Sequence, residues 1–220
     1  MKNLIIYGVS DFSKLMSHYF NTGNKYRIVA YCADNQFISS NNFNGRRVYP
    51  LDAIADYFSP KDTEIFVAVG YKSMLSRELM FDKALKSNFN LASMVSEKAT
   101  IDESASLGLN CIIFPGVQIE PNVRVADNCI IWSSSIICHN SVINAHTFIA
   151  AQSVIGGRSI IGERCFLGFN STVIHDVVVG DDCLVGAKSL VTNSIPIRSK
   201  CMGIPAKVTS KIGHQGVCVQ

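Results

Sequence analysis

The sequence predicts an α/β module with a small parallel sheet, followed by a parallel β-helix. Two observations carry that prediction. From Ala99 to Ser194 an aliphatic residue recurs at every sixth position without a break, from Ile101, Leu107 and Ile113 through Ile149 and Ile155 to Val185 and Val191. Ahead of this repeat, residues 1–95 hold short apolar runs that end at Gly or Asp and alternate with segments of helical spacing. Uninterrupted hexads are the pattern of a rod built from short strands and corners, three hexads to a triangular coil. Apolar runs separated by helices indicate a parallel sheet covered on both faces.

In chain order, Leu4-Ile5-Ile6-Tyr7-Gly8 reads as a buried strand, and Asp11 to Phe20 as a helix with Phe12, Leu15, Met16 and Tyr19 on one face. Residues 27–32 form a second strand that closes at Asp34-Asn35, and residues 64–70 a third that closes at Gly70. Ser73 caps a helix to about Ser87, with Leu75, Leu79, Phe81 and Leu85 apolar. The expected division is a front domain over 1–95, the rod over 96–208 and a tail over 209–220.

Within the rod the third residue of each hexad points inward, each burial contributing roughly 1.5–3 kcal/mol. The first residue is small or β-branched throughout, as a tight corner requires. Cys111, Cys129, Cys165, Cys183 and Cys201 fall on one column, eighteen residues apart, with Thr147 on the remaining rung. That placement reads as a choice of size. No C-x-x-C pair offers a zinc site, and neighbouring parallel rungs rarely meet disulfide geometry. No metal is expected.

A hydrophobic fraction of 48% and a mean hydropathy of +0.22 fit a chain with an aliphatic rod. No apolar run reaches the ~18–20 residues of a membrane span, and the apolar start is interrupted at Asp11, too soon for a secretory signal. A cytoplasmic location is expected. The net charge of +3 gives no argument for nucleic acid. Its distribution is uneven: Lys188, Arg198, Lys200, Lys207 and Lys211 follow Asp182, and no acidic side chain does.

Chemistry can sit in two places. In the front module, ligands bind beyond the carboxyl ends of the strands, here Gly8-Val9-Ser10-Asp11, Asp34-Asn35 and Gly70-Tyr71-Lys72. A glycine turn into a helix presents N–H groups to a phosphate, although Ser10 and Ser13 stand where a full G-x-G-x-x-G has glycines. On the rod, His139 takes an outward position, and the eighteen-residue period sets Gly157 beside it on the next coil. A histidine that titrates near neutral pH beside a free backbone N–H has the parts that acyl transfer needs. His175, on the same column beside Asp176, competes with it; His146 lies on another edge.

The hexad rod, the run ending in His139, residues 165–171, Gly186-Ala187 and the ending Met202-Gly203-Ile204-Pro205-Ala206-Lys207-Val208 resemble the left-handed β-helix acyltransferases. With the front module included, the chain is similar to the sialic-acid O-acetyltransferase and bacillosamine N-acetyltransferase group. The resemblance implies a left-handed rod, a Rossmann-like sugar-nucleotide domain in front of it, acetyl-CoA as co-substrate and a homotrimer with sites between adjacent rods. It further implies that His139 is the general base with Asn140 as its partner, and that the Gly157 N–H meets the thioester carbonyl. Gly157, Gly168, Ala187, Pro205 and Lys207 match positions that hold the CoA. Gly8, Ser10, Asp34 and Gly70 match positions that hold the sugar nucleotide. Three positions depart from the family pattern: Asn140 where an acid is usual, Ala33-Asp34 where paired acids are usual, and the degenerate glycine turn.

The reaction expected from the resemblance is N-acetylation of a nucleotide-linked amino sugar, a 4-amino-4,6-dideoxyhexose for bacterial surface glycan. O-acetylation of a sugar hydroxyl is the nearest alternative, and it demands more of a base whose partner is only an amide. A third reading is a non-catalytic trimer that binds sugar nucleotides.

Overall fold

The computed structural model describes residues 1–219 and divides into two compact units, residues 1–70 with 79–94, and residues 71–78 with 95 onward. In the first unit, β1 (Lys2–Tyr7) lies between β2 (Tyr26–Ala33) and β5 (Thr63–Val67), parallel to both. Beyond β2 lie β4 (Arg46–Pro50), also parallel, and the short antiparallel β3 (Asn42–Phe43); β6 (Asn90–Leu91) flanks β5. The charged start Arg46-Arg47 and the terminal Pro50 disguise β4 as a loop in sequence; Arg46 and Arg47 pair only with the two-residue β3, and Pro50 lies beyond it with no outer neighbour, which tolerates both.

Alternate residues of β1 face opposite layers, because successive side chains on a strand point to opposite sides. Ile5 and Tyr7 join a buried cluster with Cys32, Ile54, Ile65, Val67, Phe81 and Ala84. Helix α1 (Asp11–Thr22) starts at Ser10, whose hydroxyl and that of Ser13 cap each other's main-chain N–H groups. Its buried residues are Ser13, Met16, Ser17 and Phe20, so the inner face is turned from the expected one, and Phe12, Leu15 and Tyr19 are only half-buried. The displacement has a cause: Ser17 Oγ bonds both the Ser13 carbonyl and the Tyr31 hydroxyl, which satisfies a polar residue in the interior.

Helix α2 (Met74–Leu85) is capped by Ser73, whose hydroxyl accepts from Ser76 N–H at 3.2 Å. It buries Met74, Arg77, Phe81 and Ala84, whereas Leu79 and Leu85 are exposed, contrary to expectation. Residues 71–78, placed with the front module on sequence, belong to the rod unit.

The rod is a left-handed β-helix of parallel two-residue strands stacked into sheets of eight, six and five strands. Each strand holds the second and third residues of a hexad, and each pairs with the strand eighteen residues on, as Ile119 with Ile137 and Ile137 with Ile155. The third residues form one continuous core from Ile113 to Val191. The turn itself falls at the sixth residue, which lies in the left-handed region at Asn128 (φ 56), Asn140 (φ 59), Arg158 (φ 60) and Asp176 (φ 60). Asn and Asp adopt that conformation at lower cost than most residues.

The first residue is small for a reason other than the corner. It points inward, and its hydroxyl or thiol donates to a carbonyl fifteen residues on: Ser135 to Ala150, Ser141 to Gly156, Thr147 to Gly162 and Cys129 to Asn144. Burial pushes the Cys201 thiol up to about 11 and the Cys111 thiol up to about 12. The cysteines are free thiols; burial raises most of this column, while the contact with Cys165 holds the Cys183 thiol below its ordinary value. Residues 206–211 return antiparallel against 199–203, which makes the end of the rod a hairpin.

Candidate active site

The corner carrying His139 is assembled from successive coils. A Cβ placed on Gly157 would lie 2.8 Å from both Cε1 and Nε2 of His139, so the imidazole sits against the bare Gly157 backbone and a side chain there would push it aside. Asn140 brings its Nδ2 to 2.9 Å from His139 Nδ1. With the amide nitrogen donating, Nδ1 accepts and the proton rests on Nε2. Half a rotation of the amide presents its oxygen instead, moves the proton to Nδ1 and frees the Nε2 lone pair.

The backbone of the corner explains why Gly157 is available. The strand ladder uses the N–H groups of the second, fourth and sixth residues of a hexad, as in Ile136, Cys138 and Asn140, and leaves the fifth spare. Side chains cap some of these spare donors: Asp127 takes that of Leu109, Asp181 that of Glu163 and Glu120 that of His139. Gly157 is buried, and its N–H has no partner among the described residues. A buried orphan donor is rare and calls for a ligand or a function.

Arg158 and Asp176 continue the ladder above Asn140 and form a two-pronged ion pair at 2.7 and 2.6 Å. The Arg158 bonds hold the Asp176 carboxyl below its ordinary range. His175 is exposed on the same column. His146 is buried elsewhere, with Nδ1 3.0 Å from Asn128 Nδ2 and Nε2 4.0 Å from Glu78; it belongs to a structural network with Arg164 and Asp182. Glu120, Arg158 and Asp176 were not among the expected site residues, although one coil on from Asn140 is Arg158, two coils on is Asp176, and Glu120 precedes the residue one coil before His139.

Of the residues expected to hold a CoA, Gly168 and Ala187 meet directly. A Cβ on Gly168 would lie 2.6 Å from the Ala187 nitrogen, and the Gly168 N–H is already bonded to the Val185 carbonyl. Gly168 thus admits Ala187 without itself offering a donor, while the exposed Ala187 has a spare fifth-position N–H. Pro205 and Lys207 are exposed on the terminal hairpin, where Lys207 pairs with Met202.

In the first unit, Gly8 has φ +136, and a Cβ there would strike the Ala68 carbonyl at 2.8 Å and Ser13 Oγ at 2.9 Å. Glycine is obligatory at that turn. Ser10 spends its hydroxyl on capping α1, and a Cβ on Gly70 would meet nothing nearer than Phe12 at 3.8 Å. Asp34 lies in a different cleft of about 700 Å³, with Asn35, Gln36, Asp52, Lys83 and Lys86 among its walls. It accepts from the Tyr7 hydroxyl at 2.6 Å and from Lys83 Nζ. Burial by itself raises the Asp34 carboxyl, but the Lys83 and Tyr7 hydrogen bonds outweigh it and hold the group below its ordinary range. Burial, then the bond to Asp34, pushes the Tyr7 phenol far above its usual range, so it stays a donor.

Against known families, residues 92–202, just over half of the chain, match the GMPPB C-terminal domain. The chain belongs to that family. Residues 3–83 match the PglD N-terminal domain. Among solved structures, PerB from Caulobacter crescentus, in complex with CoA and GDP-perosamine, is 24% identical with a TM-score of 0.82, over 96% of this chain and 98% of that one. The acetyltransferase domain of PglB from Neisseria gonorrhoeae is 20% identical with a TM-score of 0.80, over 94% and 100%. WeeI from Acinetobacter baumannii is 16% identical with a TM-score of 0.62, over 94% and 100%. At these identities the likeness establishes the fold. No curated protein matches the chain by sequence. Among the described residues, no helix is long and apolar enough to cross a membrane, and no three of His, Cys, Asp and Glu are grouped to hold a metal ion.

The depressed Asp34 carboxyl makes a prediction about stability. A group whose folded value lies below its unfolded one contributes stability above the unfolded value and loses it as pH falls through the folded one. Asp34→Asn is therefore less stable than the wild type at neutral pH, and the gap closes in acid below the ordinary value of 3.8. Lys83 is half exposed, so the gap also narrows with salt. Denaturant midpoints of both proteins from pH 7 to pH 2 measure this; a constant gap contradicts it.

Proposed function

We propose that the protein is an acetyl-CoA-dependent N-acetyltransferase of a nucleotide-linked amino sugar, a 4-amino-4,6-dideoxyhexose, acting in the cytoplasm as a homotrimer. The observation that carries this reading is the His139 imidazole lying against Gly157, whose buried N–H is unused. Acetyl-CoA, when bound, supplies an activated acetyl group. The chain supplies the rest. His139, with Asn140 turned to accept from Nδ1, takes the amine proton at Nε2. The Gly157 N–H is a donor for the acyl oxygen as negative charge develops on it. Ala187 and the basic hairpin around Lys207 suit the pantetheine arm and the phosphates.

Holding amine and acyl group in one groove supplies the largest share of the rate, an effect that reaches about 7–11 kcal/mol. The first unit suits the nucleotide: the strained turn at Gly8 leads into a capped helix, and the Asp34 cleft offers carboxylate, amide and lysine groups. The GDP-sugar bound to PerB and the PglD-type front domain support that class of acceptor. An amine suits the neutral Asn140 partner better than a hydroxyl does, because an amine needs less help to lose its proton.

His139→Ala lowers turnover at least ~10²-fold, the scale of general-base loss, in a thioester-cleavage assay with a panel of GDP-, UDP- and dTDP-linked amino sugars. Full turnover in that variant, with loss in His175→Ala, moves the base to His175. Thioester cleavage with no acceptor in the panel favours a binding role instead.

The trimer reading draws on the outward strand positions Ile160 and Val178, apolar and 40% and 45% exposed on one rod face. Sedimentation equilibrium is expected to give three chains; a fully active monomer excludes a shared groove.

Lys207→Ala raises KM for acetyl-CoA several-fold at low salt and leaves KM for the sugar nucleotide unchanged. A charge–phosphate contact of about 1–2 kcal/mol sets that scale, and salt diminishes it. An unchanged KM for acetyl-CoA at low salt removes Lys207 from the site.

A further inference from the structure

Glu120 occupies the fourth position of its hexad, one coil before His139, and its Oε2 accepts from the His139 main-chain N–H at 2.8 Å. Two facts set this carboxylate apart. The ring's own partner, Asn140, is an uncharged amide. The other carboxylate of the corner, Asp176, is engaged by Arg158 in a two-pronged pair, whereas Glu120 has no cationic partner among the described residues. The remaining titratable groups about His139 are Cys138 beside it in sequence and His175 two coils on. Burial and then Glu120 itself push the Cys138 thiol up, so it stays neutral and competes for no proton.

We propose that Glu120 is a positioning residue for His139, fixing the main chain of the base and supplying the negative charge that Asn140 lacks. As His139 takes a proton from the acceptor amine, the carboxylate held on its main-chain N–H stabilises the new imidazolium through its charge. The same hydrogen bond has a second effect. It occupies the His139 N–H, so among the described residues Gly157 offers the spare main-chain donor against the ring. Asp127 and Asp181 cap N–H groups in the same manner on another corner, whose histidine, His146, is buried against Asn128, so the capping there is structural alone.

This inference rests on the reading of His139 as base, and the test separates the two. Glu120→Gln keeps an oxygen for the N–H and removes the charge; Glu120→Asp keeps the charge and shortens the reach. The acid limb of kcat/KM rises as the base loses its proton, and a nearby negative charge delays that loss. In Glu120→Gln the limb therefore moves to lower pH and plateau kcat falls about 3–10-fold, with KM for acetyl-CoA and the unfolding midpoint held. In Glu120→Asp the limb stays near the wild-type position. High salt shrinks the difference between wild type and Glu120→Gln. The acceptors are GDP-, UDP- and dTDP-linked 4-amino-4,6-dideoxyhexoses, with acetyl-CoA.

A purely structural cap predicts that Gln restores wild-type kcat and pH profile. That result, with His139→Ala inactive, overturns the role of Glu120 and leaves the base assignment standing. Equal limb shifts in the Gln and Asp variants overturn it as well, because charge then is not the cause. An active His139→Ala overturns both readings together.

Discussion

The structure depends on stacking at a fixed interval. Eighteen residues make one coil, and the inward aliphatic at the third position of every hexad holds successive coils in register. Strand pairing alone does not set that register, since two residues per strand give few hydrogen bonds. The first-position hydroxyls and thiols from Cys111 to Cys165 reinforce it from inside, donating to carbonyls fifteen residues on. With the register fixed, residues distant in sequence become neighbours on a corner, and the corner's chemistry follows from which side chains share a column.

The site then results from a surplus of donors. The ladder leaves the fifth N–H of each hexad unsatisfied, and the protein deals with these groups one at a time. Carboxylates cap three of them, at Leu109, His139 and Glu163. Gly157 is left bare because His139 lies where its side chain would be. Electrostatics at the corner divides in the same fashion: Arg158 pairs with Asp176, and Glu120 has no cation paired with it among the described residues.

The rod was fully legible in sequence, since a six-residue period with one inward position leaves no other packing solution, and the column arithmetic that joins His139 to Gly157 follows from it. The front sheet was legible where strands are apolar runs. It was not legible at β4, whose exposed Arg46 and Arg47 pair only with the two-residue β3, nor in the two helix faces, where Ser17 and Arg77 are buried at positions that polarity argues against. Lys83 on Asp34 was hidden because the pair is joined by tertiary packing alone. Ser10 matched a sugar-nucleotide position by resemblance, and its hydroxyl serves the helix it precedes. Glu120 was within reach of the period, but finding it required noticing that the fifth N–H of a hexad has no place in the ladder.

The inward hydroxyl-and-thiol ladder also restricts how such a chain can change length. Losing or gaining a few residues inside a strand would slide every later column by a fraction of a turn, parting His139 from Gly157 and each donor from its carbonyl. Only a whole coil, or a loop leaving from a corner on the outer surface, keeps the later coils in phase. A lineage built on this rod thus grows or shrinks by eighteen residues or by surface excursions.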